Sequence, residues 1–400
     1  MVMHPTVLHI ANWYPNPWNP NEGNFIHEQV RVLREEVPGA VMAVQVRPNK
    51  RKIAEGRRVE LEPGTNGYFC LSRFHRGRLG EFLSTFLLLY ALFREKFWRY
   101  DILHVHIAQP LLSQMHLWKW LIGKPIIMTE HWSAYHYGFH LPDGPAKRRM
   151  GRPFRQGFPL LAVSQSLLDD IAAFAGQEDV NGHVVPNVVP FHGASEATNA
   201  VPVLFSANRW VPIKRPIPML QGLALAAERG TRFELVLGGD GELVGEMRAL
   251  VADSALAERT TFAGWMKKDE IAHQLARSDA NLFNSDHETF SIACAEALGA
   301  GVPLVGPYIP AVAEYAGPDD WQQLDDGSNP EDWAQAITLF ADRHKRGEID
   351  RAAIARSAAQ RFSPSALREA YRNVLDAALE GQNGSRHAPL GTSRNRTGRS

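Results

Sequence analysis

HETFSIACAEALGAGVPLVG, residues 287–306, carries one complete helix-to-strand transition of an α/β fold. Ser291 stands where a helix near Ile292 to Ala300 should begin, and Gly299, Ala300, Gly301 and Pro303 break it before the buried-strand run PLVG. The same alternation extends upstream. NLFNS from Asn281, TTFAG at 260–264, FELVLGG at 233–239 and VLFSA at 203–207 read as strands, with helices over Leu243 to Ala252 and Pro218 to Arg229. Near-continuous apolar strands between helical stretches fit a parallel sheet covered on both faces. Downstream, Asp332 to Arg343 reads as a helix, and Ser363 with Pro364 opens a last one over Ser365 to Ala378.

The first half repeats this design. TVLHIA (6–11), a helix over Asn24 to Glu36, GAVMAVQV (39–46), ILHVHIA from Ile102, PIIMTEH from Pro125, LLAVS from Leu160 and HVVPN from His183 form a second α/β series. Small and polar residues after Phe191 mark a linker. The expected fold class is therefore α/β, with two Rossmann-like doubly wound domains facing a cleft: residues 1–192, a linker at 193–201, and residues 202–360. Residues 381–400 contain four arginines and no acid, the composition of a disordered tail.

Composition removes several function classes. Forty-three basic against forty-three acidic side chains give zero formal charge, so no global field favours nucleic acid, and none is expected as a partner. Two cysteines, Cys70 and Cys294, allow at most one disulfide, and a reducing compartment is expected. The N-terminus lacks the basic, apolar and small-residue order of a signal peptide and reads as a first strand. The most apolar run, Phe82 to Phe93, has twelve residues, short of the roughly 20 that span a bilayer. Arg73, Arg76, Arg78, Arg94, Lys96 and Arg99 surround it, against Glu81 and Glu95. A buried helix with basic ends is the simpler reading, and peripheral attachment to an anionic membrane the alternative.

Candidate chemistry concentrates in the second half. Glu288 precedes the helix and Glu296 lies within it, while free backbone donors at Ser291 and Ile292 suit a phosphate. A plain capped helix with one surface carboxylate gives the same pattern. Arg209 and Lys214 follow a strand in a loop shaped by Pro212 and Pro216, where two cations suit a diphosphate or an ordinary basic surface. Gly239 and Gly241 in the turn GGDG, and Gly264 with Trp265, offer close backbone approach for a nucleotide or simply turns. Neither has dinucleotide-fingerprint or P-loop spacing, which argues against hydride transfer and ATP hydrolysis. In the first half, Gly23 sits in the polar loop NEGN, and His131 ends a strand toward the expected cleft. His104, His106, His136 and His140 accompany it without an HExxH or cysteine-rich set, so no metal is expected. Lys147, Arg148, Arg149, Arg152 and Arg155 form a basic stretch that suits an acceptor phosphate or solvent.

In order along the chain, Gly23, TEH at 129–131, Pro186-Asn187, Arg209 with Lys214, GDG at 239–241 and the Glu288/Glu296 pair resemble the GT-B glycosyltransferases, in particular the retaining family 4, or group 1, enzymes. The resemblance implies an N-terminal acceptor domain, a C-terminal domain for a nucleoside-diphosphate sugar, and a terminal helix over 361–380 that crosses back to the first domain. It assigns Glu296 to the ribose, Arg209 and Lys214 to the diphosphate, Glu288 with Phe290, Ser291 and Ile292 to the sugar and phosphates, Gly23 to close approach to the donor across the cleft, and His131 to contact with the transferred sugar near the reaction centre. Two departures from the family pattern stand out: Pro216 at a glycine-like place after the lysine loop, and Ser291 where glycine is commoner.

The implied function is retaining transfer from a UDP- or GDP-sugar to an acceptor hydroxyl in surface polysaccharide, lipopolysaccharide or glycolipid synthesis, with no tightly bound cofactor. The expected acceptor is a carbohydrate or lipid-linked glycan. The expected setting is cytoplasmic, with a peripheral position at the inner membrane as a variant. A nucleotide-sugar epimerase, a phosphorylase and a noncatalytic sugar-nucleotide binder are the alternatives.

Overall fold

A computed structural model describes residues 5–109, 111–112, 122–189 and 199–386, with side chains as far as residue 379. The linker expected at 193–201 falls mostly outside the described residues. Two compact units divide the chain: Met1–Thr129, Arg152–Leu161 and Arg368–Ser400 in one, Glu130–Gly151 and Ala162–Leu367 in the other.

Eight strands form the first sheet: β1 (Val7–Ala11), β2 (Gly39–Pro48), β3 (Glu55–Glu62), β4 (Thr65–Ser72), β5 (Ile102–His106), β6 (Ile126–Glu130), β7 (Leu160–Ala162) and β8 (Gly182–Val184). Their order is β3-β4-β2-β1-β5-β6-β7-β8, parallel in β4-β2-β1-β5-β6 with β3 antiparallel at the edge. The β3–β4 hairpin was not anticipated. Five of the eight residues of β3 are charged, against none in β4, and the turn at Pro63-Gly64 is the hairpin's one clear signal, with Gly64 at φ 74°.

The central strands are buried along their whole length, as their apolar runs require, yet they carry three histidines. In-register pairing sets His9 beside His104, and His9 Nδ1 lies 3.2 Å from His106 Nε2. His104 reaches Thr129 Oγ1 at 2.6 Å and the hydroxyl of Tyr371 at 2.8 Å. Burial, assisted by the charge of Arg34, lowers the His9 pKa to about 3, so the ring stays neutral. Tyr371 belongs to the terminal helix, Pro364–Arg386, which runs past residue 380 into the stretch expected to be disordered. No proline interrupts it after Pro364 until Pro389; residues 387–400 lie outside the described ones.

The helix Gly77–Arg94 corrects the expectation of a buried element. Gly80, Ser84, Leu87, Leu88, Ala91 and Leu92 face inward, whereas Phe82, Phe86 and Phe93 are 62–65 % exposed. It is apolar on both faces, so periodicity could not separate core from surface.

The second sheet contains β9 (Val203–Arg209), β10 (Glu234–Asp240), β11 (Thr260–Gly264), β12 (Ala280–Leu282), β13 (Leu304–Pro307) and β14 (Trp321–Leu324). The order β11-β10-β9-β12-β13-β14 is fully parallel and is the 3-2-1-4-5-6 order of a Rossmann fold. Leu220, Leu223, Leu235, Leu237, Leu282, Trp333 and Phe340 fill its core. Strand order reverses between β9 and β12, so a crevice is expected at their carboxyl ends.

Replacing Tyr371 with Phe withdraws the hydroxyl from His104 inside the core. The expected loss is about 1–3 kcal/mol of stability, seen as a lower urea midpoint with unchanged far-ultraviolet circular dichroism.

Candidate active site

Two loops leave the second sheet side by side at its reversal point. One follows β9 through the short turn Pro212–Lys214; the other joins β12 to the helix Ile292–Gly299. Asp286 N donates to Ile213 O at 2.8 Å, fixing one loop against the other. Lys214 Nζ meets Glu288 Oε1 at 2.5 Å and Ser285 Oγ at 3.1 Å, and Ser285 donates to the same glutamate oxygen at 2.6 Å. Both charged side chains are about four-fifths buried. The structure thus joins the predicted diphosphate lysine and sugar glutamate in one cluster.

Arg215, which the sequence reading passed over, braces the cluster. Its guanidinium donates to the carbonyls of Asn284 and Ser285, each at 3.2 Å, and Asn284 Nδ2 returns a bond to Arg215 O at 2.7 Å. Arg215 is also the residue in left-handed conformation, at φ 39°. Pro216, singled out as the departure from glycine, instead occupies the first turn of the helix Pro216–Glu228, where its fixed φ fits.

Arg209 ends β9 opposite Asp240, its exposed side chain with no hydrogen bond or ion pair among the described residues. It lines a cavity of about 580 Å³ together with Asn208, Gly239, Gly241, Trp265 and Met266. Gly239 and Gly241 hold φ 100° and 156°, and a Cβ on either would collide with the backbone oxygen of Asn208 or Trp210. Trp210 Nε1 donates to Gly238 O at 2.8 Å, locking the wall. Gly264 has φ 70°, and Trp265 is 62 % exposed beside the cavity.

Phe290 is buried against Tyr315 and Phe362, so it is a packing residue of the loop. Ser291 has φ 63° at the helix start, and the Tyr315 hydroxyl donates to the carbonyls of Phe290 and Ser291 at 2.7 and 3.2 Å. Ile292 opens the helix and Glu296 sits one turn along it. Burial pushes the Glu296 carboxyl up to about 7, with the charge of Lys268 pulling it down.

His131 is buried, and desolvation lowers its pKa to about 3, which keeps the imidazole neutral. Its carbonyl accepts from Thr289 Oγ1 at 3.1 Å, placing His131 beside the Glu288 loop. Gly23 lies in the other unit, at φ 64°, with the Trp13 carbonyl where a Cβ would stand. The histidines of β5 are core residues, His104 bonded to Thr129 and Tyr371 and His106 set against His9.

The model of the family "Glycosyl transferases group 1" matches residues 191–360, and that of "Glycosyltransferase Family 4" matches residues 47–191. The chain is a family 4, group 1 glycosyltransferase. An uncharacterized glycosyltransferase, YqgM of Bacillus subtilis, is 25 % identical over 264 residues, 64 % of this chain and 72 % of that one. The D-inositol 3-phosphate glycosyltransferase of Pseudarthrobacter chlorophenolicus is 26 % identical over 310 residues, covering 71 % and 73 %. Among solved structures, Anabaena Alr3699/HepE in complex with UDP superposes with a TM-score of 0.71 at 15 % identity, over 93 % of this chain and all of that one. The lipopolysaccharide outer core galactosyltransferase WaaB gives 0.67 at 15 %, covering 93 % and 99 %. Both structural likenesses concern the GT-B fold of this glycosyltransferase.

In the glycosyltransferase, Gly239→Ala should destabilise the wall of the cavity by about 2 kcal/mol or more, because a backbone collision adds to positive-φ strain. Differential scanning fluorimetry should show a melting point lower by several degrees.

Proposed function

We propose that the enzyme transfers a glycosyl group from a nucleoside-diphosphate sugar, of the UDP or GDP type, to an acceptor hydroxyl with retention at the anomeric carbon. The observation that carries this reading is the Lys214–Ser285–Glu288 cluster at the reversal point of the second sheet, with the cation Arg209 at the end of β9, the strand that leads into the Lys214 turn. The diphosphate of a nucleotide sugar carries one negative charge on the non-bridging oxygens of each phosphate, and Arg209 supplies a planar fork while Lys214 supplies a compact charge for the leaving oxygen. Amides at the start of the helix Ile292–Gly299 add fixed dipoles for the same anion.

The remaining groups sort by their environment. Glu288, already held by Lys214 and Ser285, is positioned to accept sugar hydroxyls. His131, neutral through burial, serves as a hydrogen-bonding partner of the sugar rather than a cation. Glu296 accepts the two ribose hydroxyls as a carboxylate. The sugar–phosphate bond breaks as the acceptor oxygen attacks the same face, and the acceptor proton passes to the departing diphosphate oxygen. Transfer in surface polysaccharide, lipopolysaccharide or glycolipid synthesis is in keeping with the likeness in fold to WaaB, a lipopolysaccharide outer core galactosyltransferase.

The acceptor side favours a lipid-linked substrate at an anionic membrane surface. No helix among the described residues is long and apolar enough to cross a membrane. The helix Gly77–Arg94 nevertheless turns Phe82, Phe86, Tyr90 and Phe93 outward, with exposed Arg76, Arg78, Arg94 and Arg99 beside them. Exposed aromatics flanked by cations fit the interface of anionic lipid.

Incubation with a panel of nucleotide sugars and lipid-linked acceptors should yield a transferred sugar of retained anomeric configuration. An inverted product removes the stereochemical part, and epimerised donor or binding without turnover removes the transfer itself. Lys214→Ala should reduce kcat roughly 10²–10³-fold, the usual effect of deleting a charge-stabilising donor. Ribose binding needs ionised Glu296, whereas burial favours its protonated form, so nucleotide affinity should rise with pH through about 7. Calorimetry between pH 6 and 8 should show about a tenfold gain, flattened in Glu296→Gln. Sedimentation should recover the enzyme with phosphatidylglycerol but not phosphatidylcholine vesicles, and the triple change Phe82→Ser, Phe86→Ser, Phe93→Ser should release it while preserving turnover of a soluble acceptor.

A further inference from the structure

We propose that His136, Asp170 and His287 form a site for one divalent transition-metal ion of the zinc type. The three residues come from separate elements of the second unit: the chain just after the turn Ser133–Tyr135, the helix Gln165–Ala175, and the loop before Glu288. Their ligand atoms lie within 4.8 Å of one another. His136 Nδ1 stands 2.9 Å from Asp170 Oδ1, and His287 Nε2 stands 3.5 Å from Asp170 Oδ2. Bonds of about 2.0–2.1 Å at tetrahedral angles set neighbouring donors roughly 3.3 Å apart, between those two separations.

A second observation points to a ligand. The His287 ring is 94 % buried by its 6 % side-chain exposure, yet neither its Nε2 nor Asp170 Oδ2 has a hydrogen-bond partner among the described residues. Two buried polar atoms facing each other without a bond are costly to desolvate, and a cation between them would engage both. Asp170 is held firmly for this task. Ser164 caps its helix through Leu167 N at 3.1 Å, and Glu314 accepts from the amides of Gln165 and Ser166, both at 2.7 Å.

The imidazoles of His136 and His287 stack at 3.7 Å with 14° between planes. Ligation therefore requires the His136 ring to turn out of the stack, and its 42 % side-chain exposure leaves room for this and for entry of the ion. A water would complete the coordination from the solvent side. Two imidazoles and one carboxylate suit Zn²⁺ better than Mg²⁺ or Ca²⁺, which prefer all-oxygen sets. The bound ion would tie the loop carrying Glu288 to the helix Gln165–Ala175 without touching substrate.

The full chain, stripped with chelator, should bind one Zn²⁺ by calorimetry and one Co²⁺ with the visible absorption of a low-coordinate site, and Zn²⁺ should raise its melting point. His136→Ala and Asp170→Asn should each weaken Co²⁺ binding roughly tenfold or more and abolish the thermal shift. His136 is exposed, so that variant retains its fold, checked by circular dichroism. Absence of binding, or Co²⁺ affinity and spectrum unchanged in both variants, overturns the proposal; the latter result places the ion elsewhere, for example among His9, His104 and His106.

Discussion

The salt bridge of Lys214 with Glu288 depends on a constraint set by topology. Two loops can meet beyond a parallel sheet only where their strands are neighbours, and β9 and β12, distant in sequence, become neighbours where strand order reverses. A one-strand shift would separate the lysine from the glutamate by another strand spacing of about 4.8 Å. The hydrophobic core under β9, β10 and β12 therefore does more than stabilise the second sheet. Leu204, Leu235 and Leu282 hold the register that puts a cation and a carboxylate in one cluster.

Desolvation then separates groups that look alike in sequence. Glu288 is largely buried with a lysine and a serine in direct contact. Glu296 is half-buried with no such direct partner among the described residues, and desolvation raises its carboxyl to about 7. The same contrast runs through the histidines. His9 and His131 are kept neutral by burial, whereas His136 remains at the surface. Composition alone, with equal acids and bases, conceals this local sorting.

The strands and helices of the second sheet were legible because apolar runs and turn residues agree there, and the same reading set Lys214 in the loop after one strand and Glu288 ahead of the helix at Ile292. Arg215 was not, since a lysine followed by an arginine reads as one basic loop, and only the fold reveals which of the two points at carbonyls. Tyr315 and Tyr371 act through hydroxyls on partners 24 and 267 positions away, a separation no local pattern encodes. The outward row of Phe82, Phe86 and Phe93 was hidden for the opposite reason: leucines opposite it are equally apolar, so periodicity carries no phase.

Two left-handed residues give the loops their shape without glycine. The conformation costs an ordinary side chain roughly 1–2 kcal/mol, so each needs an offsetting interaction. At Arg215 the side chain itself provides it, through two carbonyls of the opposing loop and a returned bond from Asn284. A glycine there would relax the backbone and lose the brace. At Ser291 the compensation comes from outside, as the Tyr315 hydroxyl bonds the carbonyls on both sides of the Phe290–Ser291 link. The two devices differ in consequence: Arg215 couples the β9 loop to the β12 loop, while Tyr315 fixes the direction in which the helix Ile292–Gly299 presents its first amides. Together they explain how a chain that lacks glycine at Arg215 and Ser291 still builds a loop pair with Lys214, Glu288 and a helix start in one place.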